Sequence, residues 1–145
     1  MSEMSLRVAV GEEDVLKVLI VRGIVFIEEQ KVDWEGEIDE FEKTATHFLG
    51  EVGGQPVAAG RLRHLAGGWV KVERIAVRPR WRGKGLAKEM VTFLMDHALD
   101  MGAKKFKMHA QVHLEDFYRE FGFHRQGGVF DECGIDHILM IREDD

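Results

Sequence analysis

The sequence predicts a single α/β domain, in which a mixed, mostly antiparallel central sheet carries flanking helices. Its length of 145 residues fits one ordinary domain and is too short for two. The spacing of apolar residues switches along the chain between alternation, which is typical of strands, and repeats of three and four, which are typical of helices. The resulting order is strand, helix, three strands, helix, strand, helix and two strands, so we expect residues 1–145 to form one sheet with helices on its faces.

The N-terminal part predicts a strand followed by a long helix. The stretch "LRVAV" (6–10) alternates, and "GEEDVLKVLIVRGIVFIEEQ" (11–30) has helical character. Acidic residues up to Asp14 suit the N-terminus of this helix, where the helix dipole favours negative charge. The next stretch, 31–43, is rich in aspartate and glutamate and has no clear period, so we expect a loop beside the functional site.

Two glycine pairs divide the following part into three strands. Gly53-Gly54 lies inside "THFLGEVGGQPVAAGRLRHL" (46–65), and Gly67-Gly68 precedes "WVKVERIAV" (69–77). Glycine pairs adopt the positive φ angles of tight hairpins. We therefore expect three consecutive antiparallel strands.

The C-terminal half predicts two helices and three strands. A helix begins at Leu86 and ends near Gly102, since glycine suits the position after a helix C-terminus. Its apolar stripe consists of Leu86, Met90, Phe93, Leu94, Ala98 and Met101. The stretch "KKFKMHA" (104–110) alternates as a strand, and "HLEDFYREFGF" (113–123) predicts a short helix. Residues 123–130 and 136–142 predict two closing strands.

The composition excludes several classes of protein. A formal net charge of −6 argues against a general nucleic-acid binder, which needs a basic face. The single cysteine, Cys133, cannot form an internal disulfide, and no Cys/His cluster has zinc-binding spacing. No signal peptide or apolar run of membrane length is visible. We therefore expect a cytoplasmic protein with no metal and with neither nucleic acid nor membrane among its partners.

The stretch "RWRGKGLAK" (80–88) lies between a predicted strand and a predicted helix. It fails both the P-loop pattern and the dinucleotide fingerprint, since required positions hold other residues. Gly83 and Gly85 nevertheless let the backbone turn its N–H groups inward, beside the positive end of the helix dipole. Arg80, Arg82 and Lys84 add positive charge, which suits a pyrophosphate. On the turn alone, a glycine turn with solvated arginines is an equally good interpretation.

The same residues carry a resemblance to a known family. Arg80-x-x-Gly83-x-Gly85, followed by Leu86 and Ala87, resembles the acyl-CoA pyrophosphate signature of the GNAT family of N-acetyltransferases. "VERIAVRPRWRGKG" and "LEDFYREFGF" are similar to the strand and loop of that family and to its later helix. Four further stretches, "VRGIVFIEEQ", "ATHFLG", "HAQ" and "GGVFDECGIDHILM", are similar to its bacterial ElaA-like and YjcF-like subgroup.

This resemblance covers nearly the whole chain and implies the GNAT-like acyl-CoA N-acyltransferase fold, with acetyl-CoA as cosubstrate and no metal. It implies that the backbone of Ile75, Ala76 and Val77 pairs with the pantetheine arm, as a strand added to a sheet edge. It assigns the pyrophosphate to Arg80, Arg82, Gly83, Lys84, Gly85, Leu86 and Ala87. The expected activity is direct acetyl transfer to a primary amine of a small molecule or peptide.

Tyr118 holds the general-acid position of the family in "DFYREFGF". There its phenol would give a proton to the departing sulfur of coenzyme A. It is the only tyrosine of the chain. The alternative is an amphipathic tyrosine at the edge of the core beside Phe117. The position within the motif favours the catalytic interpretation.

Glu73 is the first choice for the general base. Strand alternation predicts that it shares a face with Ile75 and Val77, so that it points along the groove where the acceptor arrives. The alternative is a solvent-facing carboxylate paired with Arg74 or Lys71, which has nearly equal weight.

Other side chains are weaker candidates for chemistry. His109, at the end of the next predicted strand, is the second choice for the base, because imidazole exchanges protons near neutral pH. Cys133 could be an acyl-enzyme nucleophile, but the family transfers the acetyl group directly, and an inert cysteine is the better interpretation. His47 and His137 are expected to make structural hydrogen bonds.

The acidic segment 31–43, with Arg22, Glu29 and Gln30 before it, is expected to form part of the acceptor pocket. Its negative charge would favour a cationic amine, such as a polyamine, an amino sugar or a peptide N-terminus. The alternative is an ordinary solvated charged face.

Two non-enzymatic interpretations remain open at this stage. One is an acyl-CoA sensor or interaction module that keeps the fold without turnover, which the retained Tyr118 argues against. The other is a nucleotide-binding regulator, which the two failed phosphate motifs disfavour. The sequence leaves open the acceptor amine, the acyl chain that is accepted and whether the chain forms a homodimer.

Overall fold

The computed structural model describes residues 3–145, which form one mixed sheet with helices on its faces. The strands are β1 (Ser5–Val8), β2 (Thr46–Val52), β3 (Gln55–His64), β4 (Trp69–Val77), β5 (Lys105–Gln111), β6 (His124–Glu132) and β7 (Ile135–Glu143). Their order in the sheet is β1-β2-β3-β4-β5-β7-β6. Only β4 and β5 pair in parallel among these strands. The predicted fold class is confirmed.

The helices follow the predicted order with one addition and one change. They are α1 (Gly11–Arg22), α2 (Trp34–Glu37), α3 (Leu86–Asp100) and α4 (Glu115–Arg119). The addition is α2, a single turn inside the segment that was expected to be a loop. The change is that the predicted first helix ends as an α-helix at Arg22 and continues over Gly23–Glu29 with π-helical winding. Such winding often marks functional sites.

Two apolar layers hold the helices against opposite faces of the sheet. α3 packs on one face through Met90 and Leu94, which join the main core with Leu62 and Val72. α1 packs on the other face in a smaller cluster made of Val18, Val21, Val25, Leu49, Ala59 and Ala76. The predicted stripe therefore faces the core from Leu86 to Ala98, but Met101, beyond the end of α3, is 69% exposed. Gly102 follows the helix with a φ of +91°.

The parallel pair β4–β5 is hydrogen-bonded over only part of its length. Pairing runs from Trp69 opposite Lys105 to Val72 opposite Met108 and then stops. Immediately beyond this point, Arg74 adopts a φ of +56°, and the pairing of β4 with β3 shifts register opposite Gly60. A bulge of this kind bends a strand and increases its twist. The C-terminal parts of β4 and β5 are therefore not hydrogen-bonded to each other. We call the opening between them the wedge.

The bulge also corrects the prediction that Glu73 shares a face with Ile75 and Val77. Ile75 and Val77 pack into the α3-side core. Glu73 lies on the opposite face, where it is directly across from Arg61. Simple alternation fails because the residue inserted at Arg74 reverses the facing of every later residue in the strand.

Two buried arginines attach the acidic segment to the sheet. Arg61 is fully buried, and its guanidinium donates to Asp39 at 2.9 and 2.8 Å and to Glu73 at 2.9 Å. Arg22, 1% exposed, donates to Glu37 at 2.5 Å and to Glu42 at 2.7 Å. Guanidinium groups match carboxylates in this way through their planar fork of donors. The acidic segment is therefore a fixed wall of the wedge.

We expect Arg61→Ala to destabilise the fold by about 3–5 kcal/mol, because it leaves buried carboxylates without their shared partner. The free energy of unfolding in urea measures this. Arg119→Ala is the matched control, since the Arg119 side chain is 60% exposed and lies 3.6 Å from its nearest carboxylate, so we expect little change. Equal stabilities of the two variants would contradict this account of the segment.

Candidate functional site

The wedge between β4 and β5 contains two adjoining cavities. One, of about 320 Å³, lies beside His109 and His137, and we call it the histidine-side cavity. The other, of about 380 Å³, lies beside Arg82 and Ala87, and we call it the loop-side cavity. Both are lined by Phe26, Gln30, Ile75, Gln111, Leu114 and Tyr118. Two ligands could therefore meet at these shared residues.

The loop-side cavity combines an open strand edge with a turn of free N–H groups. Ile75, Ala76 and Val77 line it where β4 has lost its neighbour β5. Beyond Val77, the turn 79–85 leads into α3, with φ +79° at both Gly83 and Gly85. The backbone N–H groups of residues 83–87 donate no hydrogen bond to any acceptor in residues 3–145. Such a set of donors at a helix N-terminus favours an anion.

The two glycines also keep the turn accessible. A Cβ built on Gly83 or Gly85 would meet no atom within 4 Å, so the backbone borders open space. The predicted glycine turn is therefore formed as expected. Leu86 is different from its neighbours, because its side chain is buried in the α3-side core. Only its backbone N–H is directed to the turn.

The cations around the turn have different surroundings. Arg82 donates to Val77 O at 3.0 Å and forms a bidentate ion pair with Glu29, both N–O distances being 2.6 Å. The hydrogen bond to Glu29 raises the pKa of Arg82. Arg80 and Lys84 are exposed and lie over the Trp81 ring at 5.7 and 5.3 Å. Arg82 thus links the turn to the end of the π-helical segment.

Tyr118 occupies the point where the two cavities meet. It is 4% exposed, and its ring contacts Phe117 and Phe123 at centroid distances of 4.9 and 6.4 Å. Burial raises the pKa of the phenol. Its hydroxyl has no hydrogen-bond partner within the described chain, 3–145. The phenol is therefore a protonated donor with a free hydrogen beside both cavities.

A pair of amides spans the wedge. Gln111 Nε2 donates to Gln30 Oε1 at 3.0 Å, which joins the end of β5 to the end of the π-helical segment. Both side chains border both cavities. The hydrogen-bonded pair is therefore part of the lining that the two cavities share.

His109 has a carboxylate partner. Its Nδ1 lies 2.8 Å from Glu132 Oε1, and its ring contacts Phe130 edge-on at 5.0 Å. The hydrogen bond from His109 lowers the pKa of Glu132, so this carboxylate is ionised and accepts only. Nδ1 therefore carries the hydrogen of this bond, and Nε2 has no hydrogen-bond partner among residues 3–145.

His137 completes this wall of the histidine-side cavity. Its Nδ1 lies 2.7 Å from Ile135 O, and its Nε2 lies 3.7 Å from Glu132 Oε2. The expected structural hydrogen bond is present. His47 is also hydrogen-bonded, with Nε2 at 2.8 Å from Glu42 O, and it lies outside both cavities.

Glu73 lines the histidine-side cavity, but its carboxylate is occupied. Its oxygens lie 2.7 Å from Arg61, 2.6 Å from Arg63 and 3.5 Å from Lys71. Burial alone would raise the pKa of Glu73, but the hydrogen bond from Arg63 and the neighbouring cations outweigh it and lower that pKa. The expected alternative of an ion-paired carboxylate is present, although the group is buried and Arg74 is not its partner. A carboxylate of this kind is a weak base.

The acidic segment lines the same cavity, as expected, but the two carboxylates that it contributes to the lining are paired. Asp39 contacts Arg61 and Arg74, and Glu37 contacts Arg22 and Arg74. The hydrogen bond from Arg61 is the main effect that lowers the pKa of Asp39 against its burial. The segment therefore does not present to the cavity the free negative charge on which the expected preference for cationic amines depends.

Cys133 borders the histidine-side cavity from the β6–β7 turn, with a φ of +54°. It is exposed, and no cation or histidine that would activate its thiol is within hydrogen-bonding distance in the described chain. Residues 3–145 hold no group of three His, Cys, Asp or Glu side chains arranged to bind a metal ion. None of the described helices is long and apolar enough to cross a membrane.

Several residues of the site were not identified from the sequence. Arg61, Arg63, Gln111 and Glu132 were assigned no role. The alternation of charged with apolar residues in "RLR" and "KVE" was a signal for a charged face on neighbouring strands. Glu132 gave no such signal, because its contact with His109 depends on how β7 is inserted between β5 and β6.

Comparisons with known proteins show the family and the fold of the chain. Residues 20–143 match the model of the acetyltransferase (GNAT) domain. The uncharacterized N-acetyltransferase YjcF of Bacillus subtilis is 35% identical over 137 residues, which cover 94% of this chain and 97% of that protein. The crystal structure of Escherichia coli ElaA has a TM-score of 0.87 at 26% identity and covers 97% of this chain and 99% of its own.

A solved GNAT acetyltransferase from Elizabethkingia anophelis, with acetyl-CoA bound, has a TM-score of 0.69 over 99% of both chains. At 13% identity it shows a shared fold alone. The family match and the relatives nevertheless cover most of the chain. This protein belongs to the GNAT family of acetyltransferases.

Proposed function

We propose that this chain transfers an acetyl group from acetyl-CoA directly to a primary amine of a small molecule or peptide. The observation that carries the proposal is the meeting of two cavities at Tyr118, one bordered by a free strand edge and a turn of unpaired N–H groups. One cavity accommodates the cosubstrate, and the other accommodates the acceptor. Activity without a metal is part of the proposal.

The loop-side cavity has the features that coenzyme A requires. Its pyrophosphate would accept hydrogen bonds from the N–H groups of 83–87, and Arg82 and Lys84 would balance its charge. The amide groups of the pantetheine arm would pair with the open edge at 75–77. Arg82 would then exchange part of its contact with Glu29 for the phosphate. The thioester would lie near Tyr118.

Tyr118 is the proposed general acid. Acetyl transfer releases a thiolate, which needs a proton as the carbon–sulfur bond breaks. A phenol whose pKa is raised by burial keeps its proton until such a strong acceptor develops beside it. The hydroxyl makes no hydrogen bond within residues 3–145, so it can donate to the sulfur without first breaking another hydrogen bond.

His109 replaces Glu73 as the proposed base. The acceptor must lose a proton to attack the acetyl carbonyl, and His109 Nε2 is free to take it while Glu132 holds the ring from Nδ1. Glu132 is therefore a positioning residue that also stabilises the imidazolium. Glu73 is disfavoured because three cations surround its carboxylate and lower its pKa.

The test of the whole proposal is acetyl-CoA titration by calorimetry, followed by thiol release with a panel of amines. Saturable binding with amine-dependent thiol release supports it. If acetyl-CoA binds but no amine in the panel causes thiol release, the acyl-CoA sensor is favoured. If acetyl-CoA does not bind, the proposed acetyl transfer is contradicted.

Gly83→Glu is expected to abolish acetyl-CoA binding, because a carboxylate would stand where the pyrophosphate approaches. The fold should persist, since a Cβ there meets no atom and the positive φ costs only about 1–2 kcal/mol. Calorimetry measures the affinity. The control is Gly102→Glu, at another open glycine of positive φ, which should bind normally. Unchanged affinity in folded Gly83→Glu would contradict the assignment of the turn.

Tyr118→Phe is expected to lower the rate of thiol release by about 10²-fold or more, which is typical for loss of a general acid. Acetyl-CoA affinity should barely change, because the ring and its contacts with Phe117 and Phe123 remain. Steady-state kinetics and calorimetry give the two quantities. A normal rate, or a parallel loss of affinity, would show that Tyr118 is structural.

His109→Gln and Glu73→Gln separate the two candidate bases. We expect His109→Gln to lower kcat by about 10²-fold or more, since the proton acceptor is lost. Glu73→Gln should lower the free energy of unfolding and affect kcat far less. Measurement of kcat and of the free energy of unfolding for both variants decides between them. The opposite pattern would restore Glu73 as the base.

A further inference from the structure

The histidine-side cavity has two walls of opposite charge character. Arg63, Lys71 and Arg74 contribute cations from β3 and β4. Glu132, with its two histidine neighbours, contributes an ionised carboxylate from β6. The first side also carries the carboxylates of Glu37, Asp39 and Glu73, each of them in ion pairs with cations. The acceptor therefore meets cations and paired carboxylates on one side, which we call the cationic wall, and the Glu132 carboxylate on the other.

The cationic wall belongs to a network of ion pairs that extends behind the cavity. Five cations are linked to four carboxylates; the cations are Arg22, Arg61, Arg63, Lys71 and Arg74, and the carboxylates are Glu37, Asp39, Glu42 and Glu73. Each of these carboxylates contacts at least two of the cations. The network therefore has no carboxylate left over for a cationic ligand.

Lys71 is the cation with the weakest partner. Its side chain is only 16% exposed, and its Nζ lies 3.5 Å from Glu73 Oε2. It makes no hydrogen bond with any residue in 3–145. An ammonium group has three donors, and a largely buried one needs acceptors for them. Arg63, also 16% exposed, directs Nε and Nη2 to Glu73 and has no acceptor for Nη1 within the described chain. These donors lie beside the cavity.

Glu132 on the opposite wall is suited to an amine. Its side chain is 41% exposed, and its contacts in the described chain are with His109 and His137. The charge of Lys71 also contributes to lowering the pKa of Glu132, so the two groups interact across the cavity. An acceptor bound between them would place a positive end near His109 and a negative end near Lys71.

We propose that the acceptor is an amine that also carries an anionic group, a carboxylate or a phosphate, which Lys71 and Arg63 bind while the amine faces His109 and Glu132. This inference rests on the proposed function and names its substrate class. It replaces the expectation of a purely cationic amine, because Glu37 and Asp39, the carboxylates of the acidic segment that line the cavity, are already paired with arginines.

The first test is binding, which needs no turnover. The protein is saturated with coenzyme A and titrated by calorimetry with β-alanine, γ-aminobutyrate, their carboxamides, O-phosphoethanolamine, ethanolamine and 1,4-diaminobutane. We expect an anionic amine to bind about tenfold or more tightly than its neutral counterpart, as is typical when a charged hydrogen-bonded group is removed. A preference confined to the carboxylates, or to the phosphate, identifies the anionic group.

The Lys71→Gln variant tests whether Lys71 causes the preference for anionic amines. We expect the ratio of affinities between each anionic amine and its neutral counterpart to fall toward one. Lys104→Gln, which removes the same charge at an exposed position outside both cavities, should keep the ratio. Equal binding of charged and neutral amines, a preference for the diamine, no binding of any amine, or an unchanged ratio in Lys71→Gln would each overturn the inference.

Thiol release from acetyl-CoA with the same amines tests the proposed function separately. Selective binding without thiol release would contradict acetyl transfer and leave the ligand class supported. Thiol release with no selectivity for anionic amines would support acetyl transfer and overturn the ligand class.

Discussion

The end of hydrogen bonding between the parallel strands β4 and β5 is the constraint on which the rest of the structure depends. Backbone N–H and C=O groups inside a sheet are normally hydrogen-bonded to neighbouring strands. Here pairing stops after Val72, the bulge at Arg74 turns β4 aside, and the edge at 75–77 is left free. Both cavities border this opening, and the residues they share lie at its centre. Without the bulge, continued pairing of β4 with β5 would close the opening that both cavities border.

The same bulge determines which charges reach the site. It directs Arg74 toward Glu37 and Asp39 of the acidic segment, while Ile75 and Val77 pack into the core beside α3. The buried arginines Arg22 and Arg61 then hold that segment as a wall and pair with its carboxylates Glu37, Asp39 and Glu42. Burying so many charges is costly unless each is paired, and the network meets this requirement with guanidinium forks. The cavity therefore has a more positive wall than the overall charge of the chain suggests.

The chemistry proposed for the site divides between two kinds of environment. Tyr118 lies in an apolar setting, where burial keeps the phenol protonated and suits it to donate. His109 lies in a half-exposed polar setting, where a carboxylate fixes its tautomer and leaves one nitrogen free to accept. The acid faces the junction of the cavities, and the base faces the acceptor side alone. An acid and a base with distinct surroundings can act in one transfer without neutralising each other.

The sequence alone determined the element order, the glycine turn before α3, the position of Tyr118 and the resemblance to the GNAT family. These features depend on local periodicity, on glycines with positive φ and on contiguous motifs. Each of these signals lies within a short segment of the sequence. Only the tertiary structure decided the facing of Glu73, the pairing of the acidic segment and the partner of His109. The inserted residue at Arg74 reverses the alternation on which the prediction for Glu73 relied. The contacts Arg61–Asp39 and His109–Glu132 join residues that are 22 and 23 positions apart, and they exist because sheet order, which local patterns do not encode, brings those residues together.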